Sequence, residues 1–302
     1  MTADDLVQYV RELGSLPDGR FSPAEILSFA DNEVLNVAKD IISVRQDFLV
    51  ETQSFTIGSN TTGFRIPPRA LGGKLRDLML QLQPGNYQNP GNYVSVPRVD
   101  MSDRASNPVG YFYQGNQVVM WNVSPAIASN TAQILASYYA RPGKLISTGS
   151  ALLVTAVGAT SVTGTGANLT GQVLLDIIKG SPGFENVSFN QSGYTTTATT
   201  VAGIVATDIV NVAVGDWVCA SGYSPVIQLP QEFHQVLAQR TIVKALDSIG
   251  DDAGFQRAQA KAGEMQEAAL ALIAERDDGT PEKMRMDVYS PWIRNNRWIW
   301  PR

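Results

Sequence analysis

The chain has 302 residues, of which 44% are hydrophobic, so it is long enough to bury one large core or two or three ordinary ones. Its formal net charge of −5 disfavours a protein whose main task is to grip nucleic acid, because binding to phosphates depends on clustered Lys and Arg. A single Cys219 and a single His234 exclude an intrachain disulfide and a His-rich metal site. With no apolar run long enough for a membrane span, we expect a soluble chain that starts at or near Met1, with no cofactor, metal or membrane partner.

Two N-terminal helices are predicted from their start signals, a threonine cap for the first and a complete capping box for the second. The first should end at Gly14, and the second should run from Pro23 to about Val44. Proline fits the first helical position because the N–H that it lacks would have no partner there. The capping pairs are Thr2 with Asp5 and Ser22 with Glu25, and the apolar face of the second helix comprises Ile26, Ala30, Val34, Val37 and Ile41.

The next hundred residues or so are predicted to be mainly β-structure and loop. The predicted elements are an exposed strand at 48–58, an element at 71–82 that is ambiguous between strand and helix, a long ordered loop at 84–108, an aromatic hairpin at 111–120 and a third strand at 131–139. The Gly115-Asn116 pair indicates the tight turn of the hairpin. Arg141-Pro142 should stop the third strand, because proline has no N–H for the ladder and restricts the residue before it.

A nearly uncharged tract follows. From Gly149 to Ser224, runs of Val, Thr and Ala are punctuated by Gly, which is typical of short strands at regular spacing. The only charged residues in that tract are Asp176, Lys179, Glu185, Asp208 and Asp216. We predict an inserted all-β domain at 147–226, with an immunoglobulin-like or small-barrel form.

Helical patterns return after Leu229-Pro230. An apolar stripe predicts one helix that Gly250 ends. The following helix has an apolar seam that steps by three and four residues, and its small side chains indicate close packing, most simply against the preceding helix as an αα-hairpin. Packing between subunits is the alternative. The seam comprises Phe255, Ala258, Ala262, Met265, Ala269 and Leu272.

The last segment, 281–302, holds three of the five tryptophans and is rich in Arg, with no helical or strand period. Disordered segments are poor in aromatic residues, so we expect this tail to dock on a partner, with packing back on its own subunit as the alternative. The predicted docking residues are Trp292, Arg294, Arg297, Trp298, Trp300 and Arg302.

Four motifs, in their order along the chain, carry a resemblance to a known family. They are Phe21-Ser22-Pro23-Ala24-Glu25-Ile26-Leu27, Gly110-Tyr111-Phe112-Tyr113-Gln114-Gly115-Asn116, Tyr138-Tyr139-Ala140-Arg141-Pro142 and Leu229-Pro230-Gln231-Glu232-Phe233. In this order they resemble the head-to-tail adaptor (connector) proteins of tailed, above all short-tailed, bacteriophages, and the resemblance covers roughly two thirds of the chain. In that family a short loop joins the third motif to the fourth, whereas here about eighty residues intervene.

The resemblance implies a structural virion protein, made in the bacterial host cytoplasm, that forms a ring, typically a dodecamer, at the head-to-tail junction. Its partners would be the portal protein, tail nozzle, tube or fibre proteins and further copies of itself, while genomic DNA passes through the ring without sequence-specific binding. A C-terminal tail that reaches into the portal is also implied. Negative charge on the channel wall would repel the DNA backbone and let it pass.

The predicted fold is therefore α+β. It combines an adaptor core of helices and an antiparallel hairpin (1–146 and 227–280) with the inserted all-β domain (147–226) and an extended docking tail (281–302). Residues predicted to pack in the core or between subunits are Phe255, Ala258, Ala262, Met265, Leu272, Tyr138, Tyr139 and Arg141.

Other functions have weaker support from the sequence. A virion protein that binds a receptor or glycan through the β-domain ranks second, because that domain's aromatic residues are scattered. An enzyme ranks third, since no pair of nucleophile and base and no pair of carboxylates stands out. We therefore predict no enzymatic activity and no catalytic residues. The structural interpretations are a solvated or capping role for His234, a buried inert thiol for Cys219 and a solvated or ion-paired face for the basic cluster Arg65, Arg69, Lys74 and Arg76.

Overall fold

The computed structural model describes residues 1–16, 19–56, 63–81, 93–100, 110–121, 133–172, 174–181 and 186–274. These ranges form a mixed α+β protein, and no helix within them is long and apolar enough to cross a membrane. The helices are α1 (Ala3–Gly14), α2 (Pro23–Val44), α3 (Ala206–Ile209), α4 (His234–Ile249) and α5 (Asp252–Ile273). The strands are β1 (Val50–Thr56), β2 (Gly63–Arg65), β3 (Asp77–Gln81), β4 (Tyr93–Ser95), β5 (Gly110–Gln114), β6 (Gln117–Trp121), β7 (Gln133–Tyr139), β8 (Lys144–Leu145), β9 (Leu152–Val157), β10 (Ser161–Gly166), β11 (Leu175–Ile178), β12 (Asn186–Gln191), β13 (Thr195–Thr196), β14 (Thr200–Ala202), β15 (Trp217–Ala220) and β16 (Tyr223–Ser224).

Both N-terminal helices begin at the predicted capping boxes. The Thr2 hydroxyl accepts from the Asp5 N–H at 3.1 Å, and the Asp5 carboxylate accepts from the Thr2 N–H at 3.0 Å. Ser22 and Glu25 make the same exchange at 3.3 and 2.7 Å. Each box gives partners to N–H groups that the first helical turn leaves unpaired, so the predicted starts of α1 and α2 are confirmed.

Helix α4 is central to a group of four helices, α1, α2, α4 and α5, here called the helical unit. It packs against the other three, and the predicted αα-hairpin with α5 is confirmed, with left-handed Gly250 (φ 80°) ending α4. Phe233, directly before α4, is fully buried in the shared core. On one side, Arg240 pairs with Asp40 at 2.9 Å and Glu33 at 3.4 Å.

Two small antiparallel sheets lie beside the helical unit and share one apolar core. Their strand orders are β1-β7-β3-β4 and β2-β6-β5. The hairpin β5/β6 confirms the aromatic hairpin, but β7, predicted as its third strand, lies between β1 and β3 in the other sheet. The buried side of β7 packs against hairpin residues instead of pairing with them. The shared core includes Leu78, Leu80, Tyr111, Val118, Met120, Ile134, Ala136 and Tyr138.

In this region the structure resolves one ambiguous element and corrects one predicted loop. The ambiguous element at 71–82 is a short 3-10 turn, Leu71–Gly73, followed by strand β3. Gly72 and Gly73 both have positive φ (68° and 62°), which favours glycine and breaks any longer helix. The predicted loop at 84–108 contains strand β4, while 84–92 and 101–108 lie outside the described residues.

The nearly uncharged tract folds into one seven-stranded antiparallel sheet, ordered β12-β11-β15-β9-β10-β14-β13. It curls into half a barrel, and its core includes residues next to helix α3. An immunoglobulin-like sandwich requires two facing sheets, whereas the described strands of this tract, Leu152 to Ala220, share one. The core of the seven-stranded sheet comprises Leu152, Val154, Val162, Leu169, Leu175, Ile177, Val201, Ile204, Ile209, Val212 and Val218.

The two chain segments that lead into and out of this sheet, 143–148 and 222–226, lie side by side and are here called the neck. Strands β8 and β16 pair in parallel, with Lys144 opposite Tyr223 and Leu145 opposite Ser224. Helix α1 contacts the same neck, because the Asp4 carboxylate accepts from the Thr148 N–H at 3.0 Å. Asp31 of α2 likewise accepts from the Leu145 N–H at 2.6 Å. The neck is thus held by both N-terminal helices.

Candidate functional site at the junction of the helical unit and the seven-stranded sheet

A buried ion pair joins the β-structure near Pro67-Pro68 to the seven-stranded sheet. The Arg69 guanidinium lies 3.6 Å from the Asp176 carboxylate, and their side chains are 7% and 0% exposed. Asp176 also accepts from the Gly222 N–H at 2.8 Å, and Arg69 lies over the Phe189 ring, 5.1 Å from its centroid. Both side chains are almost fully buried, and each charge has a partner, as a buried charge requires.

The side-chain amide of Gln228 connects this pair to the neck. Its oxygen accepts from the Gly143 N–H and from Arg69, the latter at 3.5 Å. Its nitrogen donates to the Asn186 side chain at 2.9 Å. A side chain at Gly143 would have its Cβ 2.9 Å from Ser224, so glycine allows this close approach. One buried amide thus holds together segments that are far apart in sequence.

Beside the ion pair lies an open cavity of about 780 Å³, here called the groove. This volume is within the ordinary range for a binding site. Its walls come from one face of α2, the Pro68-Arg69 turn, residues 141–144 and the loops that flank β11, β15 and β16. The groove therefore forms only when all of these segments are assembled.

The charged side chains that line the groove are mainly basic. Arg69 forms part of it, and Arg69 Nε has no hydrogen-bond partner among the described residues. Arg141 and Lys144 are exposed at its rim. The opposing carboxyl is Asp31, whose pKa is raised by burial; the N–H of Leu145 and the charge of Lys144 limit that rise. The lining thus holds three cations and one carboxyl. Asp176, which lies behind the lining, compensates the charge of Arg69.

Cys219 lies under this junction and is fully buried, as predicted. Its thiol donates to the Tyr223 carbonyl at 2.8 Å. Burial raises the pKa of Cys219 well above its usual range, and the nearby charge of Asp176 adds to that rise. The thiolate, which is the reactive form, is therefore disfavoured.

We expect the native protein to react with an aromatic disulfide reagent far more slowly than a free thiol does. Unfolding in guanidinium should release one reactive thiol per chain. The absorbance of the aromatic thiolate that the reagent releases measures the reaction rate of the native protein and the number of thiols in the unfolded protein. Rapid stoichiometric labelling of the native protein would contradict the burial of Cys219.

The residues of the predicted seam of α5 differ in burial. Ala258 and Ala262 are buried, and Phe255 and Met265 are half-buried. Leu272, predicted to continue the seam, is 74% exposed. With 3.6 residues per turn, the buried stripe passes through Ala269 to Ile273, and the neighbouring position 272 points away.

The residues predicted to pack at the end of the third strand, Tyr138, Tyr139 and Arg141, differ in their exposure. Tyr138 is buried, and burial raises its pKa to about 12. Tyr139 is half-buried, and Arg141 is exposed at the groove, where its backbone N–H donates to the Arg69 carbonyl at 2.6 Å. The strand ends at Tyr139, which confirms the predicted stop before Arg141-Pro142. The docking residues of the tail lie outside the described residues: Trp292, Arg294, Arg297, Trp298, Trp300 and Arg302.

His234 lies outside the groove lining. No group of three His, Cys, Asp or Glu side chains in the described ranges could hold a metal ion. His234 is half-buried, contacts the Leu229 carbonyl at 3.0 Å through Nε2, and has its pKa lowered by burial. The arrangement can instead attract and position a negatively charged group, because fixed cations surround an open space.

Sequence reasoning missed the Arg69 and Asp176 pair. The basic cluster predicts a solvated or ion-paired face for Arg69, whereas the structure buries it against Asp176 on β11. The available signal was Asp176, a single carboxylate inside the otherwise apolar run Leu174–Ile178. A charge at a buried strand position predicts a buried counter-charge.

No family model matches the sequence, and a search of curated proteins finds no match.

Proposed function

We propose that this chain is a head-to-tail adaptor of a tailed bacteriophage, a structural virion protein that assembles as a dodecameric ring between portal and tail. One observation carries the proposal beyond the sequence resemblance. The Tyr138–Pro142 motif and the Leu229–Phe233 motif, which a short loop joins in the family, are separated here by about eighty residues. The Gln228 side chain nevertheless binds the Gly143 backbone, so the ends of both motifs meet.

The geometry of the neck supports the insertion that this proposal requires. An inserted segment disturbs its host least when its two ends lie close together. Strands β8 and β16 are hydrogen-bonded neighbours, and the strands between them form a sheet with its own core. We propose that 147–226 is a β-domain inserted into an adaptor core made of 1–146 and 227–280.

In the proposed ring the tail, 281–302, anchors each subunit in the portal. Large aromatic side chains and Arg supply much of the binding energy at protein interfaces, and the tail is rich in both. The ring surrounds the channel through which DNA leaves, and the net charge of −5 favours passage without adhesion. The proposal places the protein in the virion at the head-to-tail junction and includes no catalytic step.

The proposal is tested by binding to the cognate portal protein. We expect full-length protein to form rings on portal particles, visible by negative-stain microscopy, and a truncation ending at Pro281 to lose binding. A variant with alanine at Trp292, Trp298 and Trp300 should behave like the truncation while keeping the circular dichroism of the parent. Full-length protein that neither binds the portal nor forms rings on it would refute the adaptor function.

The alternative is a virion protein that binds a receptor or glycan through the β-domain. Glycan sites commonly present aromatic faces, but the described aromatic residues of this sheet have other contacts. Phe189 lies under Arg69, while Tyr194 and Trp217 pack against buried residues. Binding of the full-length protein to glycans on an array, together with no binding to the portal, would favour this alternative.

A further inference from the structure

A ring of identical subunits needs two different surfaces on each copy, because each subunit contacts its two neighbours through different faces. The following inference rests on the proposed ring and concerns which surfaces meet. The groove is one candidate, since it is concave and open and has the exposed cations Arg141 and Lys144 at its rim. A matching surface should be convex and acidic.

The tip of the α4–α5 hairpin has these properties and is here called the acidic corner. Asp247, Asp251 and Asp252 are all exposed there, and none forms an ion pair within the described part of the chain. Gly250 in the left-handed conformation makes the tip narrow. Asp251 also caps α5 by accepting from the Gly254 N–H at 3.0 Å, which fixes the position of the tip.

The groove and the acidic corner lie at different ends of the helical unit. Gln228, beside the groove, precedes α4, and the acidic corner follows it. Helix α4 has 16 residues and is therefore about 24 Å long. A subunit cannot easily bring its own corner to its own groove, so the two surfaces suit a contact between neighbouring copies.

We propose that the acidic corner of one copy docks into the basic groove of the next copy. Arg141 and Lys144 at the rim receive the carboxylates of Asp247 and Asp252, and the buried Arg69 Nε, which has no hydrogen-bond partner among the described residues, offers a donor inside. The chain's own tail is a poorer occupant, because 281–302 carries five Lys and Arg against two acidic residues and has the same sign of charge as the groove.

Charge reversal tests this contact directly. The groove variant is R141E/K144E, and the corner variant is D247K/D252K; Arg69 and Asp251 are kept because both support the fold. The matched control for the groove variant, R20E/K39E, makes the same change in net charge as R141E/K144E at exposed basic residues outside the groove lining. Circular dichroism and thermal unfolding check that each variant is folded.

We expect the parent to self-associate in sedimentation velocity runs at low salt and to dissociate at high salt, because exposed charge pairs are screened. Each reversed variant should associate at least about tenfold more weakly, since like charges then face each other. Mixing the two variants should restore association, because each supplies the surface that matches the other. The control should behave like the parent.

Two outcomes would overturn the contact: a parent that stays monomeric at low salt, or reversed variants that associate as well as the parent and the control. These outcomes are distinct from failure of the adaptor function, which is measured by portal binding. Rings on the portal with unchanged charge-reversed variants would refute the contact alone. Rescue on mixing without portal binding would refute the adaptor function alone.

Discussion

Replacing Asp176 by asparagine is expected to lower the free energy of unfolding by about 3–5 kcal/mol. The substitution keeps the shape of the side chain but removes the charge that compensates Arg69. Arg69 has a side chain that is 7% exposed, so water cannot take over the role of the carboxylate. Urea unfolding, followed by circular dichroism, measures the change.

Two controls separate an uncompensated charge from general damage to the sheet. The double variant R69M/D176L replaces both charges with apolar groups and should recover much of the loss, because a buried pair often contributes little over a well-packed apolar pair. Asp77→Asn removes an acid from the exposed pair with Arg76, at 3.3 Å, and should cost only about 0–1 kcal/mol. Equal losses for Asp176→Asn and Asp77→Asn would contradict the buried pair.

Replacing Phe233 by alanine is expected to cost about 3–5 kcal/mol, because a large side chain in a fully packed site leaves a cavity when it is truncated. Phe233 lies where the start of α4 joins the common core of the helical unit. The loss should appear as a lower urea midpoint at an unchanged slope.

Leu272→Ala is the matched control in the same helical unit, and its side chain is 74% exposed. We expect a change within about 0.5 kcal/mol, as is usual for a surface substitution. If Phe233→Ala were as mild as Leu272→Ala, α4 would not be the centre of the helical core.

The helices could be predicted because their signals are local. The two capping boxes, the proline at the start of α2 and the glycine after α4 each act within one helical turn, and all are confirmed. The hairpin β5/β6 has the same property, since its turn residues lie between its strands. Short-range sequence patterns are sufficient for such elements.

Strand partners and the groove could not be predicted in this way. The alternation in β7 indicates a strand, but it does not say whether β3 or the hairpin lies beside it. Arg69 and Asp176 are far apart in sequence and meet only because the turn that carries Arg69 lies against strand β11 in the folded chain. The Tyr138–Pro142 motif singles out Arg141, whereas its position beside Lys144 and Arg69 depends on the assembled neck.

The helical unit is built from both ends of the chain, which has a consequence for its synthesis. Helices α1 and α2 are made first, and about 190 residues separate the end of α2 from the start of α4. At a ribosomal rate of ~5–20 residues per second, the apolar face of α2 waits roughly 10–40 seconds for its partner. During that time the nascent chain exposes Ile26, Val34 and Ile41, so the interval before α4 emerges is when chaperones in the cell have a surface to hold.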